Sequence, residues 1–238
     1  MATNGTNNAD DLIVEESGVT VNAGAGNDTV TVKGSNSTVH GDAGNDYIKV
    51  KGGNSNTICG DAGDDTIKIN GGKNNTIYGG DGDDTIIVRG DGNNTLYGGA
   101  GDDTLDGGKG NDTFYGQAGD DTIYGRLGND KIYGGAGDDT LYGNDGDDYI
   151  SGGNDNDYLY GGAGDDTLLG GAGDDDIYGG AGNDTMTGGE GKDIFFINAG
   201  LGSNGDNTIT DYEAGKDVIR ITRSGYDKNA AVLVGPGV

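Results

Sequence analysis

The chain has 238 residues, with 41 acidic against 14 basic side chains, a net charge of −27, 54 glycines and a hydrophobic fraction of only 31%. That acidity speaks against nucleic acid and anionic surfaces as partners and favours cations. A single cysteine, Cys59, and a single histidine, His40, exclude an internal disulfide and a cysteine-rich metal centre. No segment is apolar for long enough to cross a membrane as a helix. So little apolar content with so much charge normally means disorder, unless the apolar residues are periodic and the carboxylates are neutralised.

In chain order, Met1 to Asp10 is polar and lacks the basic start and apolar run of a secretory leader. Three origins fit this: retention in the cell, an export route without an N-terminal signal, or a module of something longer. Residues 1–23 read as an N-terminal capping coil, with Leu12, Ile13 and Val14, then Val19 and Val21, in the opening turn of the fold. Residues 24–97 read as coils of 18 or 19 residues: AGNDTVTV, AGNDYIKV, AGDDTIKI and DGDDTIIV begin at Ala25, Ala43, Ala62 and Asp81. Between them lie GSNSTVHG, GNSNTICG, GKNNTIYG and DGNNTLYG, which are the same unit with its aspartate replaced by Ser37, Asn56, Asn75 and Asn94. Residues 98–196 are eleven uninterrupted nonapeptides, such as GGAGDDTLD, GQAGDDTIY and GGAGDDDIY. In all of them position 1 is Gly, position 6 is Asp and position 8 is Leu, Ile, Met or Phe. Residues 197–238 read as a C-terminal cap and tail; together with Phe195 and Phe196, Ile197, Ile209, Val218, Ile219 and Ile221 close the core. The stretch from Ser224 to Val238 is weakly patterned and reads as frayed.

Each unit is a glycine-rich turn followed by a short strand with one inward apolar residue. One such strand buries almost nothing, whereas a stack buries a continuous column. Two units per coil predict two facing parallel sheets and an all-β solenoid with little or no helix. One inward column is Val30, Ile48, Ile67, Ile86, Leu105, Ile123, Leu141, Leu159 and Ile177; the other is Val39, Ile58, Ile77, Leu96, Phe114, Ile132, Ile150, Leu168 and Met186.

The repeat resembles the RTX, or hemolysin-type, nonapeptide G-G-x-G-x-D-x-U-x, a known calcium-binding repeat. The match is strict over 98–196 and looser back to about residue 24. The resemblance implies a right-handed parallel β-roll with Ca²⁺ in its turns. It also implies a secreted bacterial protein, exported by a type I route and located outside the cell or at its surface.

Folding stacks the position-6 aspartates into columns. One edge carries Asp28, Asp46, Asp65, Asp84, Asp103, Asp121, Asp139, Asp157, Asp175 and Asp193; the other carries Asp112, Asp130, Asp148, Asp166 and Asp184. Carboxylates one rung apart repel, and calcium suits them because it accepts six to eight hard oxygens, carboxylate and carbonyl alike. The resemblance implies an ion between successive turns, held by these carboxylates and by turn carbonyls. The carbonyls come from positions 1 and 3: Gly98 and Ala100, Gly107 and Lys109, Gly116 and Ala118, Gly125 and Leu127, Gly134 and Ala136, Gly143 and Asp145, Gly152 and Asn154, Gly161 and Ala163, Gly170 and Ala172, Gly179 and Ala181. An upper count of about thirteen ions brings the chain close to neutrality. Asp155 replaces the position-4 glycine, which predicts a distorted site there. Position-5 residues such as Asp102, Asn111, Asp120 and Asp138 read as solvated surface. Asn56, Asn75 and Asn94 are neutral, so they predict a hydrogen-bonded ladder without calcium, continued by Ser37.

Other features carry less. Tyr78, Tyr97, Tyr115 and Tyr133 on one sheet, and Tyr124, Tyr142, Tyr160 and Tyr178 on the other, face outward. They read as stacked cover for the sheet, with a glycan- or protein-binding track as the alternative. Bacterial ice-binding adhesins share the 19-residue coil, but the place of their threonine is taken by Ala25, Ala43, Ala62 and Asp81, which argues against that role. His40 and Cys59 share one outward position in adjacent coils, one ligand or more short of a usual transition-metal site. No H-E-x-x-H, G-x-S-x-G or phosphate loop is present, and uniform short turns leave no cleft. The sequence predicts a monomeric structural module and not an enzyme.

Overall fold

The computed structural model describes residues 2–198 and 205–222. The chain is a parallel β-solenoid: 24 strands alternate between two twelve-stranded sheets, odd strands in one and even strands in the other. There is no helix among the described residues, and none long and apolar enough to cross a membrane. Strands Ala2–Asn4 and Asp11–Val14 open the stack, and Thr208–Ile209 and Val218–Thr222 close it. Every pairing between named strands is parallel and in register by repeat; Phe114 lies opposite Leu96 on one side and Ile132 on the other.

Both expected columns form the core, and all eighteen side chains are fully buried. A second inner position, absent from the sequence reading, is filled by Val32, Val50, Ile69 and Val88, also fully buried. These are the last residues of TVTV, YIKV, TIKI and TIIV, so alternation alone places them inward. In the nonapeptide half the corresponding place belongs to the buried position-1 glycines, and the core narrows to one apolar residue per strand. Phe114 fills the transition: a methyl group on Gly107 would lie 2.4 Å from its Cζ.

At the ends, Val14 is buried, Leu12 packs against the core, and Ile13 faces solvent at 63% exposure. Phe195 is buried, while Ile197, Ile209, Ile219 and Tyr212 close the other end, Tyr212 being a member the sequence did not single out. Phe196 instead faces outward and stacks on Tyr178 at 3.7 Å between centroids. The tail expected from Ser224 lies outside the described residues.

The turns need left-handed backbone, and position 4 shows why glycine recurs there: Gly101 has φ 122° and Gly119 φ 125°. Asp155 takes the same role at φ 70°, since aspartate tolerates this region. Its repeat keeps the aspartate register, because Asp157 Oδ1 still accepts the Asp139 N–H at 2.9 Å.

Candidate calcium-binding edges

All fifteen position-6 aspartates are buried. They form two continuous columns in which each carboxylate does two different things. One oxygen, Oδ1, accepts the backbone N–H of the equivalent residue one coil earlier. Asp65 accepts from Asp46 at 2.7 Å, Asp121 from Asp103 at 2.8 Å, and Asp148 from Asp130 at 2.7 Å. The other oxygen, Oδ2, is buried without a hydrogen-bond partner in every one of the fifteen. An unpartnered buried polar atom is costly and rare. Fifteen such atoms, on the residues that the repeat singles out, fit a hard cation as their partner.

The surroundings of Oδ2 define the gap. A methyl group on Gly116 would lie 2.2 Å from Asp121 Oδ2 and 2.7 Å from the carbonyl oxygen of Gly134, one coil on. Gly134 relates in the same way to Asp139 and Gly152, and Gly161 to Asp166 and Gly179. Position-1 glycine therefore keeps open a space lined by a free carboxylate oxygen and the position-1 carbonyl of the next coil. Gly60, Gly79 and Gly188 present their carbonyls likewise, and the sequence reading omitted all three. The position-3 carbonyls are more committed. Those of Ala100, Ala118, Leu127, Ala136, Asp145, Ala163 and Ala181 each accept an N–H from the preceding coil at 2.7–2.9 Å. Each keeps only its second lone pair for an ion.

Burial dominates the electrostatics. It pushes Asp65, Asp84, Asp103, Asp112, Asp121, Asp130 and Asp139 up to about 7, and Asp157 and Asp166 up to about 8. Asp46, Asp148 and Asp175 rise to about 6, and Asp184 and Asp193 also move upward. The accepted N–H opposes the shift in each case. Neighbouring carboxylates add to it in most: Asp103 feels Asp121, and Asp157 feels Asp139 and Asp175. Hard, buried, mutually repelling oxygens beside backbone carbonyls are a donor set that fits calcium.

The columns end differently. Asp10 lies before Asp28, and its Oδ2 accepts Thr6 N–H at 2.6 Å and Thr6 Oγ1 at 2.9 Å. Asp217 lies after Asp193, and its Oδ2 accepts the Glu213 N–H at 2.7 Å. Asn207 closes the other column by accepting from Asp184 at 2.9 Å. Protein donors thus satisfy these terminal oxygens, whereas the interior carboxylates keep Oδ2 free.

The neutral ladder forms as the sequence predicts. Ser37, Asn56 and Asn75 donate their backbone N–H groups to the side-chain oxygens of Asn56, Asn75 and Asn94 at 2.9, 3.0 and 3.1 Å. Asn75 Nδ2 also donates to Asn94 Oδ1 at 3.1 Å, whereas Asn56 Nδ2 is buried without a partner. Asn75→Ala leaves the buried Asn56 N–H unpaired. It should lower the stability of the calcium-saturated protein by about 1–3 kcal/mol, read as a lower midpoint in urea unfolding with calcium stoichiometry unchanged.

Position-5 residues are exposed, as expected, but they are not idle surface. Asp102 Oδ1 accepts the Asp120 N–H at 2.9 Å, and Asp120 Oδ1 accepts that of Asp138 at 2.8 Å. These ladders run opposite in sense to the buried ones and satisfy a turn N–H in each coil.

The model of the RTX calcium-binding nonapeptide repeat matches in overlapping segments that together cover residues 4–67 and 71–195. No curated protein sequence matches the chain significantly.

Proposed function

The chain belongs to the RTX calcium-binding nonapeptide repeat family, and from that premise we propose that it is a structural module whose fold forms on calcium outside the cell. The observation that supports this best is the set of fifteen buried Oδ2 atoms without partners. On this reading each ion lies between successive turns of one edge, held by position-6 Oδ2 atoms and position-1 carbonyls, with the position-3 carbonyls supplying second lone pairs. Bound calcium supplies the positive charge that lets the columns stay ionised. The residues supply preorganisation: Oδ1 is tied to the backbone, which aims Oδ2 at the gap, and glycine keeps the gap open.

The functional logic is mass action. An ion that binds only the folded chain stabilises it by about 2.7 kcal/mol per site at a hundredfold excess over its dissociation constant. Scarce calcium inside a cell would leave the chain extended enough to thread an export channel, and abundant calcium outside would fold it. Asp139→Asn tests the ligand assignment. On this reading Asp139 serves the ions on both sides of its turn, so the dialysed variant should hold two fewer calcium ions per chain by elemental analysis. Full stoichiometry would remove the carboxylate from the ligand set.

The tyrosine stripes support a rigid scaffold better than a sugar track. Rings of Tyr78, Tyr97, Tyr115 and Tyr133 stack at 4.7, 4.8 and 5.1 Å with interplanar angles of 9° or less. Tyr124 and Tyr142 do the same at 5.1 Å. Within these two runs the ring faces a sugar would need are covered by one another, but the second stripe does not continue as expected: Tyr160 is tilted by 56° against Tyr142 and by 47° against Tyr178.

A further inference from the structure

We infer that His40, Cys59 and Asp61 form a site for one borderline divalent transition-metal ion of the zinc class, distinct from the calcium edges. His40 is the chain's only histidine and Cys59 its only cysteine. The solenoid register sets them directly opposite each other on adjacent strands, at the outward position that holds Tyr78 in the next coil. Asp61 supplies the third ligand. It stands two residues after Cys59 on the same strand, hence on the same face. Its left-handed backbone, φ 77°, occupies a place that is glycine in Gly80, Gly99 and Gly135. Asp61 Oδ2 lies 3.0 Å from His40 Nδ1 and accepts the Asp42 N–H at 3.3 Å.

An imidazole nitrogen, the thiol sulfur and a carboxylate oxygen all fall within 4.8 Å of one another. A tetrahedral zinc ion holds such atoms about 3.2–3.6 Å apart, so the trio needs only about 1 Å of closure. The His40 and Asp61 side chains are 35% and 38% exposed, which leaves room for water as the fourth ligand. The donor set sorts the metals. Calcium takes hard oxygens only, whereas thiolate and imidazole suit zinc, cobalt, nickel and copper. Burial and the Asp61 charge push the Cys59 thiol up to about 11, so binding exchanges the thiol proton for the ion and releases that proton to solvent.

The test is a Co²⁺ titration of the full chain in saturating calcium, which keeps the aspartate edges filled. One equivalent should produce a thiolate-to-cobalt charge-transfer band and tetrahedral d–d bands, removed by Zn²⁺ and unaffected by Mg²⁺. Cys59→Ser should abolish the charge-transfer band. His40→Gln and Asp61→Asn should each weaken cobalt binding at least tenfold, with far-UV spectra unchanged. Asparagine tolerates the left-handed backbone at 61, so loss of fold is not expected to confuse the result. Cobalt binding without a thiolate band, or wild-type affinity in the His40 and Asp61 variants, would overturn the site.

Discussion

Chelating calcium at about pH 8 should abolish the β-sheet spectrum of this chain, and acidifying the same chelated sample to about pH 5 should restore much of it. The sign follows from the aspartate columns. Twelve of the fifteen have folded-state pKa values of about 6 to 8, against about 3.9 in an unfolded chain. Between those values the folded state holds more protons, so its stability without ions falls as pH rises. That stability is fully present below about pH 4 and is lost as pH passes through the 6–8 window. Each pH unit of displacement is worth about 1.4 kcal/mol. A dozen carboxylates displaced in the same direction make the ion-free fold much less stable at about pH 8 than at about pH 5. Only protons or cations can then keep the columns folded. Circular dichroism of the chelated protein across pH, with calcium and magnesium additions, reads this directly. Calcium should restore the spectrum at about pH 8, and magnesium should not, because it demands a tighter octahedron and keeps its waters. A β spectrum indifferent to chelator at that pH would show that the columns tolerate their repulsion, and the calcium-folding proposal would fall.

The second large effect is expected from one methyl group. Gly134 does not have a positive φ, so alanine is acceptable to its backbone. Its Cβ would nevertheless meet Asp139 Oδ2 at 2.2 Å and the Gly152 carbonyl at 2.7 Å. Gly134→Ala should therefore lose calcium at the gap between Asp139 Oδ2 and the Gly152 carbonyl. It should also destabilise the loaded protein by about 3 kcal/mol or more: overpacking costs about 1–3, and each lost ion removes about 2.7 at hundredfold excess. Gly18→Ala is the control. Gly18 has φ 70° and nothing within 4 Å of an added Cβ, so it should cost about 1 kcal/mol of backbone strain and no calcium. Calorimetric calcium titration of the two variants separates the cases. Equal stoichiometry in both would mean that the gap beside position-1 glycine is not where the ion binds.

Much of this molecule was legible in the sequence because a solenoid converts period into position. A residue that recurs every 18 or 19 places must stack, so the two apolar columns, the fifteen aspartates and the asparagine ladder could be named without coordinates. What escaped were relations that period does not encode. Which carboxylate oxygen bonds to backbone and which stays free depends on the rise between coils. The caps Asp217 and Asn207 follow their columns after 24 and 23 residues, out of phase with the repeat. Asp61 comes within reach of His40 and Cys59 only once adjacent coils lie in register, and its left-handed backbone is not encoded in the period. The sequence by itself determined the coil, its inward columns and the residues that line its edges, since these follow from alternation and period. The tertiary structure alone decided which atoms of those residues face a ligand, since that depends on distances between chain segments a full coil apart.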